Sequence, residues 1–221
     1  MKIILASQGL TTPEIAEKTA KLAEKPLKKL NVAIINEAYV GIDLGEDQKW
    51  LINELLLISK YTNGVISFVN LRAYDSEEVK NRIDFADVIY IVGGKQVILP
   101  KLFRETGFDK ILKDAANSKV IFGTSAGANV LGKHIENPNY WQDQYGSSEY
   151  FLSEPALGLV DFNIIPHLES HDRPRRKWEI LTLLLKENPF PLYGVNDEQA
   201  VFYNKGEISF AGGKPVKFGK Q

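Results

Sequence analysis

The sequence predicts an α/β fold with three layers, in which a mainly parallel sheet carries helices on both of its faces. Short apolar segments alternate with longer segments of helical periodicity along most of the 221 residues, and this alternation is typical of strands joined by helical crossovers. Residues 88–92 read VIYIV, the pattern of a strand buried on both faces. Residues 200–211 predict a C-terminal antiparallel hairpin, and no linker or repeat divides the chain, so we expect one domain over residues 1–221.

The first half of the chain supplies three strands and three helices before this apolar strand. Thr12 and Pro13 are typical of a helix N-cap and first helical position, and Pro26 should end that helix. Asn63 and Gly64 predict a turn before the third strand. We expect strands at residues 2–6, 31–35 and 65–69, and helices near residues 13–24, 47–60 and 76–82.

The second half of the chain continues the alternation and then loses it. Residues 132–158 show no periodicity and predict a long loop, and a loop of this length is more often functional than not. The remaining elements are helices near residues 97–105, 108–116 and 174–187, strands at 120–122, 159–165 and 193–195, and hairpin strands at 200–203 and 207–211.

The composition is that of a soluble globular protein, with 44% hydrophobic and 25% charged residues. The formal net charge of −1 gives no basic field for nucleic acid, and no apolar run reaches the roughly 20 residues that span a bilayer. The N-terminus reads as a first strand rather than a signal peptide. There are no cysteines, which excludes thiolate nucleophiles and cysteine-ligated zinc. We expect a cytoplasmic protein without cofactor or metal, with no nucleic-acid or membrane partner, which could form a homodimer.

The most informative stretch is GTSAG, residues 123–127, which follows a short apolar strand and opens a helix. It matches the G-x-S-x-G pattern of a nucleophile elbow, with Ser125 at its apex. Glycines on either side of the serine avoid collisions in such a bend. The amide of Ala126, at a helix start, could stabilise an oxyanion. The alternative is a glycine-rich turn with an inactive serine, because short motifs recur by chance.

A serine hydroxyl needs a base, and the chain has three histidines, His134, His167 and His171. His167 follows a strand and a proline, so we expect it at the carboxyl edge of the sheet, beside Ser125. His134 should point away, and His171 is less firmly placed. The i,i+4 spacing of His167 and His171 could bind a metal if the segment were helical, but Pro166 and Pro174 bracket it and no third ligand is evident.

The base needs a carboxylate to fix its tautomer. Glu198 follows the strand near residues 193–195, and neighbouring Asp197 should face the opposite way if the segment is extended. We therefore expect Glu198 to contact His167, with loop solvation or capping as the alternative role for both carboxylates.

Two further features lie near the expected site. Gly93 and Gly94 end the most apolar strand, and the Gly94 amide could be a second oxyanion donor rather than part of a simple turn. A basic cluster follows His171, and one of its arginines, Arg175 or Arg176, could hold a substrate carboxylate, although such clusters usually form a solvated helix face. Its members are Arg173, Arg175, Arg176 and Lys177.

These motifs resemble the S51 serine peptidases, the family of aspartyl dipeptidase (peptidase E) and cyanophycinase, which have a class I glutamine amidotransferase-like fold. The resemblance is carried by residues 123–129 (GTSAGAN), 86–94 (ADVIYIVGG) and 166–167 (PH). It implies a triad of Ser125, His167 and Glu198, oxyanion amides at Gly94 and Ala126, and short peptide substrates, among them dipeptides with an acidic N-terminal residue.

The sequence departs from the family pattern in two places. Lys95 and Gln96 stand where the family often has a third glycine followed by Asn or Asp. The dipeptidase's pattern for aspartate recognition is not recognisable in residues 137–145.

Two other functions fit parts of the sequence. An α/β-hydrolase esterase shares the elbow, but its acid normally lies between serine and histidine, at Asp143 or Asp161. An amidotransferase-like binding domain would have an inert Ser125 and a small ligand or partner chain in its cleft.

Overall fold

The computed structural model describes residues 1–39, 49–135, 155–171, 176–185 and 188–219. Its central element is a seven-stranded sheet with the order β3-β2-β4-β5-β1-β8-β9. The strands of this sheet are β1 (Lys2–Ala6), β2 (Val32–Ile35), β3 (Ile66–Phe68), β4 (Val88–Ile91), β5 (Val120–Thr124), β8 (Ala200–Asn204) and β9 (Glu207–Ala211).

Five neighbouring strands of this sheet are parallel, as the sequence predicts. β4 and β1 flank β5, with Ile91 opposite Gly123 and Ala6 opposite Thr124. The carboxyl ends of these three strands therefore meet at one edge, which is where ligand sites of such sheets lie. The predicted hairpin of β8 and β9 is also confirmed, and β8 pairs antiparallel with β1.

Helices cover both faces of the sheet, because consecutive side chains of each buried strand point to opposite sides. In β1, Ile3 and Leu5 belong to one apolar core, and Ile4 and Ala6 belong to the other. The first core packs on α3, α4 and α5, and the second packs on α1 and α2. The helices are α1 (Pro13–Ala23), α2 (Lys49–Tyr61), α3 (Ser76–Phe85), α4 (Ile98–Glu105), α5 (Phe108–Ala115), α6 (Ala126–Asn129) and α7 (Trp178–Leu184).

Local signals explain where several helices begin. The side chain of Thr12 accepts a hydrogen bond from the amide of Ile15, and Pro13 is the first residue of α1, as predicted. Asp75 caps α3 in the same way by accepting from the amide of Glu78. The helix predicted at residues 174–187 is shorter in the structure, where α7 begins at Trp178 and ends at Leu184.

A second, three-stranded sheet has the order β10-β7-β6 and was not predicted. It consists of β6 (Asn163–Ile165), β7 (Leu192–Gly194) and β10 (Val216–Phe218). The sequence predicts a strand at residues 159–165 in the main sheet, but only its last three residues are a strand, and they pair with β7. Residues 136–154 of the predicted long loop lie outside the described residues, and a bridge between His134 and Pro155 joins its described ends.

In the part of the chain that the structure describes, no helix combines the length and the apolar character needed to cross a membrane.

Candidate active site

Ser125 lies in a sharp turn between the end of β5 and the start of α6, at the carboxyl edge of the main sheet. Its backbone has φ 48° and ψ −113°, which is a strained conformation for a residue with a side chain. A Cβ added to Gly123 would lie 2.3 Å from the carbonyl oxygen of Gly127, and one added to Gly127 would lie 2.1 Å from that of Ile91. The elbow therefore needs both glycines, for the steric reason that the sequence suggests.

His167 contacts Ser125 from the second sheet. It follows β6 and Pro166, and its Nε2 atom lies 3.1 Å from Ser125 Oγ. The expectation that His167 stands at the edge of the main sheet is wrong, because β6 belongs to the other sheet. The two sheets nevertheless bring the ring beside Ser125, where its side chain is 15% exposed.

The carboxylate that contacts His167 is that of Asp197, whose Oδ1 atom lies 2.7 Å from Nδ1. The prediction that Asp197 faces away and Glu198 faces His167 is therefore wrong in its geometry. Glu198 is exposed to solvent, and its amide donates to Oδ1 of Asn196 at 3.0 Å.

The physical reason is that residues 196–199 form a turn and not an extended segment. The amide of Gln199 donates to the carbonyl of Asn196 at 3.0 Å, so the alternation of side chains along a strand does not apply here. The antiparallel pairing of Ala200 with Ala6 places this turn at the carboxyl end of β1. Thr11 fixes it further, since its hydroxyl donates to the carbonyl of Asp197 at 2.7 Å.

Ser7 is a member of this cluster that the sequence analysis missed. Its fully buried hydroxyl donates to Asp197 Oδ1 at 2.6 Å and accepts from the amide of His167 at 2.7 Å. The amide of Ser125 donates to the carbonyl of Ala6, one residue before Ser7. The sequence signal for its role was the position of this polar residue directly after the apolar strand β1.

The predicted oxyanion residues lie at the ends of β4 and β5. A Cβ added to Gly93 would lie 3.0 Å from the Cβ of Ser125, so this glycine allows the chain after β4 to approach the nucleophile. Gly94 has φ 137° and is exposed. Among the described residues, no acceptor takes a hydrogen bond from the amides of Gly94 or Ala126.

The two described members of the basic cluster make contacts within the protein. Arg176 is 3% exposed, and its guanidinium donates to the carbonyl of Pro166, so it supports the chain just before His167. Lys177 pairs with Glu169 at 2.9 Å. Arg173 and Arg175 lie outside the described residues.

The other two histidines take no part in the cluster around Ser125. His134 stacks on Phe190, with ring centroids 5.4 Å apart, and burial beside Lys133 lowers its pKa. His171 is exposed in a turn, and the segment from His167 to His171 is not helical. Among the described residues, no group of three or more histidine, aspartate or glutamate side chains could hold a metal ion.

The contacting residues occur along the chain in the order Ser125, His167, Asp197. This order differs from the serine, acid, histidine order of an α/β-hydrolase. Asp161, one of the acids required by the esterase interpretation, is exposed and precedes β6, whereas His167 follows it. Asp143, the other candidate, lies outside the described residues.

Comparisons with known proteins show the family of this chain. Peptidase E of Haemophilus influenzae is 26% identical over 166 residues, which cover 71% of this chain and 69% of that protein. An uncharacterized peptidase of Listeria monocytogenes is 28% identical over 134 residues, which cover 59% of this chain. The match spans 63% of the Listeria protein, under two thirds of its length.

A solved structure has the same fold. The peptidase from an acI-B1 Actinobacterium matches with a TM-score of 0.67 at 18% identity, covering 99% of this chain and 93% of the other. The family model described as peptidase family S51 matches residues 6–211, nearly the whole sequence and all of the residues of the site. The chain therefore belongs to peptidase family S51.

Proposed function

We propose that the protein is a serine peptidase that hydrolyses short peptides through an acyl-enzyme on Ser125. The observation that carries the proposal is the continuous contact from Ser125 Oγ to His167 Nε2 and from His167 Nδ1 to Asp197 Oδ1, at 3.1 and 2.7 Å. Membership of peptidase family S51 supports the same reaction class. The acid of the proposed triad is Asp197 in place of Glu198.

In this mechanism His167 first acts as a general base. With Nδ1 protonated and donating to Asp197, Nε2 has a lone pair for the proton of Ser125. As Oγ attacks the peptide carbonyl carbon, that proton moves to Nε2 and the carbonyl oxygen becomes an oxyanion. We assign the oxyanion to the amides of Gly94 and Ala126, because Ala126 follows Ser125, Gly94 follows the glycine that approaches Ser125, and neither amide has an acceptor among the described residues.

His167 then acts as a general acid. The imidazolium gives its proton to the leaving amine, the C–N bond breaks, and Ser125 carries the acyl group. A water molecule attacks the ester with His167 again as base, and the proton returns to Ser125 Oγ when the acid product leaves. Asp197 stays ionised throughout, and its charge stabilises the imidazolium in both halves.

A fluorophosphonate probe tests this proposal. Intact-mass measurement of the treated protein should show one adduct, and Ser125→Ala should show none. Labelling of the parent protein separates an enzyme from an amidotransferase-like binding domain with an inert serine. An unlabelled parent, or an adduct that persists in Ser125→Ala, would contradict the proposal.

Preference for an acidic N-terminal residue is the second part of the proposal. Of the basic residues after His171, Arg176 is buried and Lys177 is paired with Glu169. The sequence singles out Arg175 and Arg176 for binding of the substrate carboxylate. We therefore assign this role to Arg175, which lies outside the described residues. A charged guanidinium would hold a carboxylate by a bidentate contact.

The dipeptides Asp-Leu and Asn-Leu test this preference, since they have nearly the same shape and differ by one charge. We expect a higher kcat/KM for Asp-Leu, and we expect Arg175→Ala to remove most of the difference by raising KM. Lys177→Ala removes the same charge from a residue that is paired with Glu169, and it should change the ratio little. Equal hydrolysis of the two dipeptides by the parent would refute the preference and leave the peptidase proposal intact.

A further inference from the structure

A buried carboxyl group lies behind the candidate active site, on the face of the sheet that α1 and α2 cover. Glu54 of α2 is 4% exposed. Its Oε1 atom accepts hydrogen bonds from the hydroxyls of Thr124, at 2.6 Å, and Tyr90, at 2.9 Å. Thr124 directly precedes Ser125, and Tyr90 lies in β4, the strand that leads to Gly93 and Gly94.

A backbone amide fixes the direction of the Thr124 hydrogen bond. The amide of Gly93 donates to Thr124 Oγ1 at 3.0 Å, so this hydroxyl uses its own proton for Glu54. The hydroxyl of Tyr90 donates to the same oxygen. Oε1 must accept two hydrogen bonds, which a carboxylate, a neutral carboxyl or a glutamine amide can each do.

The Thr124 branch of this network connects the nucleophile with the predicted oxyanion turn. Thr124 is the last residue of β5 and precedes Ser125. Its hydroxyl accepts from the amide of Gly93, which begins the turn after β4. The Gly93 amide is buried and points to this hydroxyl, so the direction of the next peptide unit, which carries the Gly94 amide, depends on the contact. The hydroxyl of Tyr90 donates to the same Oε1 atom from within β4, so this branch does not join the two strand ends.

We propose that Glu54 and Thr124 are positioning residues, which hold the Gly93–Gly94 turn so that the Gly94 amide faces the oxyanion formed at Ser125. This inference rests on the proposed peptidase function. Neither side chain touches the substrate or a reacting atom. Glu54 orients the Thr124 hydroxyl, and that hydroxyl orients the turn. Loss of the contact should therefore lower transition-state stabilisation more than substrate binding.

Thr124→Val and Tyr90→Phe make a matched pair for the test. Each removes one hydroxyl donor from the same buried carboxyl group, and Thr124→Val also removes the acceptor of the Gly93 amide. We expect Thr124→Val to lower kcat at least about 10-fold with little change in KM, since complete loss of one oxyanion donor costs about 10²–10³-fold. The kcat of Tyr90→Phe should stay within a few-fold of that of the parent. We expect this difference in kcat between the two variants even if their melting temperatures are equal.

Two conservative variants give the matching rescue. Thr124→Ser keeps the hydroxyl and Glu54→Gln keeps an acceptor at Oε1, so both should retain most of kcat, whereas Glu54→Leu should lose it as Thr124→Val does. The rate constant for fluorophosphonate labelling should follow kcat across the series, because its phosphoryl oxygen uses the same donors. If Thr124→Val does not fold, Thr124→Ala removes the hydroxyl without a clash.

The outcomes separate this inference from the proposed function. An unlabelled parent protein would refute the peptidase function itself. A labelled, active parent would overturn the positioning role alone if Thr124→Val kept its kcat, or if Tyr90→Phe lost as much as Thr124→Val. A selective loss in Thr124→Val, with rescue in Thr124→Ser, supports the role.

Discussion

The hydroxyl oxygen of Ser7 lies 2.6 Å from Oδ1 of Asp197, so the residue that directly follows the first strand holds the acid of the proposed triad. The same hydroxyl accepts a hydrogen bond from the amide of His167 at 2.7 Å. His167 has a positive φ of 58°, which a side-chain-bearing residue adopts at a cost. One buried side chain therefore orients the carboxylate and helps to keep the backbone of the base in this conformation.

Ser7→Ala should lower kcat about 10- to 100-fold with a smaller change in KM. A hydrogen bond to a charged group contributes about 1.5–3 kcal/mol, and each 1.4 kcal/mol of barrier is a factor of ten in rate. Steady-state kinetics on a chromogenic peptide would measure the loss. Ser59→Ala is a control, because its hydroxyl bonds to the carbonyl of Leu56 on an exposed part of α2. An unchanged kcat in Ser7→Ala would show that the His–Asp contact holds without this hydroxyl.

Gly127→Ala should destabilise the protein by at least about 2 kcal/mol, because overpacking of this kind typically costs 1–3 kcal/mol. The added Cβ would lie 2.1 Å from the carbonyl oxygen of Ile91, a backbone atom that cannot move without shifting β4. Gly107→Ala is the matched control, since an added Cβ meets nothing within 4 Å and only its positive φ of 72° opposes it. Urea unfolding of both variants gives the comparison. Gly127 has no positive φ, so the contact with Ile91 is what opposes its substitution, and a Gly127→Ala variant as stable as the parent would contradict the predicted clash.

The sequence predicts the main sheet well, because its central strands β2, β4 and β5 are buried on both faces and read as continuous apolar runs such as residues 88–91. It does not predict the second sheet, whose strands β6, β7 and β10 have only three residues each. So short a run carries no clear periodicity, and its partners are distant along the chain.

The same limit explains two of the differences at the site. The choice of Glu198 over Asp197 depends on whether residues 196–199 are extended, which a local pattern does not decide when a turn competes with a strand. The part played by Ser7 depends on the pairing of β1 with β5 and β8. Ser125 was predictable because Gly123 and Gly127, on either side of it, are required by the local sterics of the turn.

The free energy of unfolding of Glu54→Gln, relative to that of the parent, should increase as the pH rises. Burial raises the pKa of Glu54 above its ordinary value of 4.5, against the opposing hydrogen bonds from Thr124 and Tyr90. Between its unfolded and folded pKa values the folded protein binds more protons, so the parent's free energy of unfolding falls as the pH rises through that window. Glutamine does not titrate and avoids this loss.

Urea unfolding at several pH values, from below the ordinary glutamate pKa to slightly alkaline, would measure this difference. Glu17→Gln, at an exposed position of α1, corrects for the loss of one negative charge. A difference between Glu54→Gln and the parent that stays constant over the whole pH range would contradict the raised pKa.

Asp197→Asn against Glu198→Gln decides which carboxylate serves His167. An amide in place of the triad acid favours the wrong imidazole tautomer and no longer stabilises the imidazolium, and the loss in kcat can reach about 10⁴-fold. Asp197 Oδ1 lies 2.7 Å from His167 Nδ1, so Asp197→Asn should lose at least about 10²-fold in kcat, or roughly 3 kcal/mol of barrier. Glu198→Gln, at the exposed neighbouring position, should stay within a few-fold of the parent in kcat and KM.

Both substitutions remove one negative charge from the same turn, so a general electrostatic effect would lower the two rates alike. If Glu198→Gln lost its kcat and Asp197→Asn kept it, the triad acid would be Glu198, as the family resemblance implies. Residues 196–199 would then have to rearrange when substrate binds.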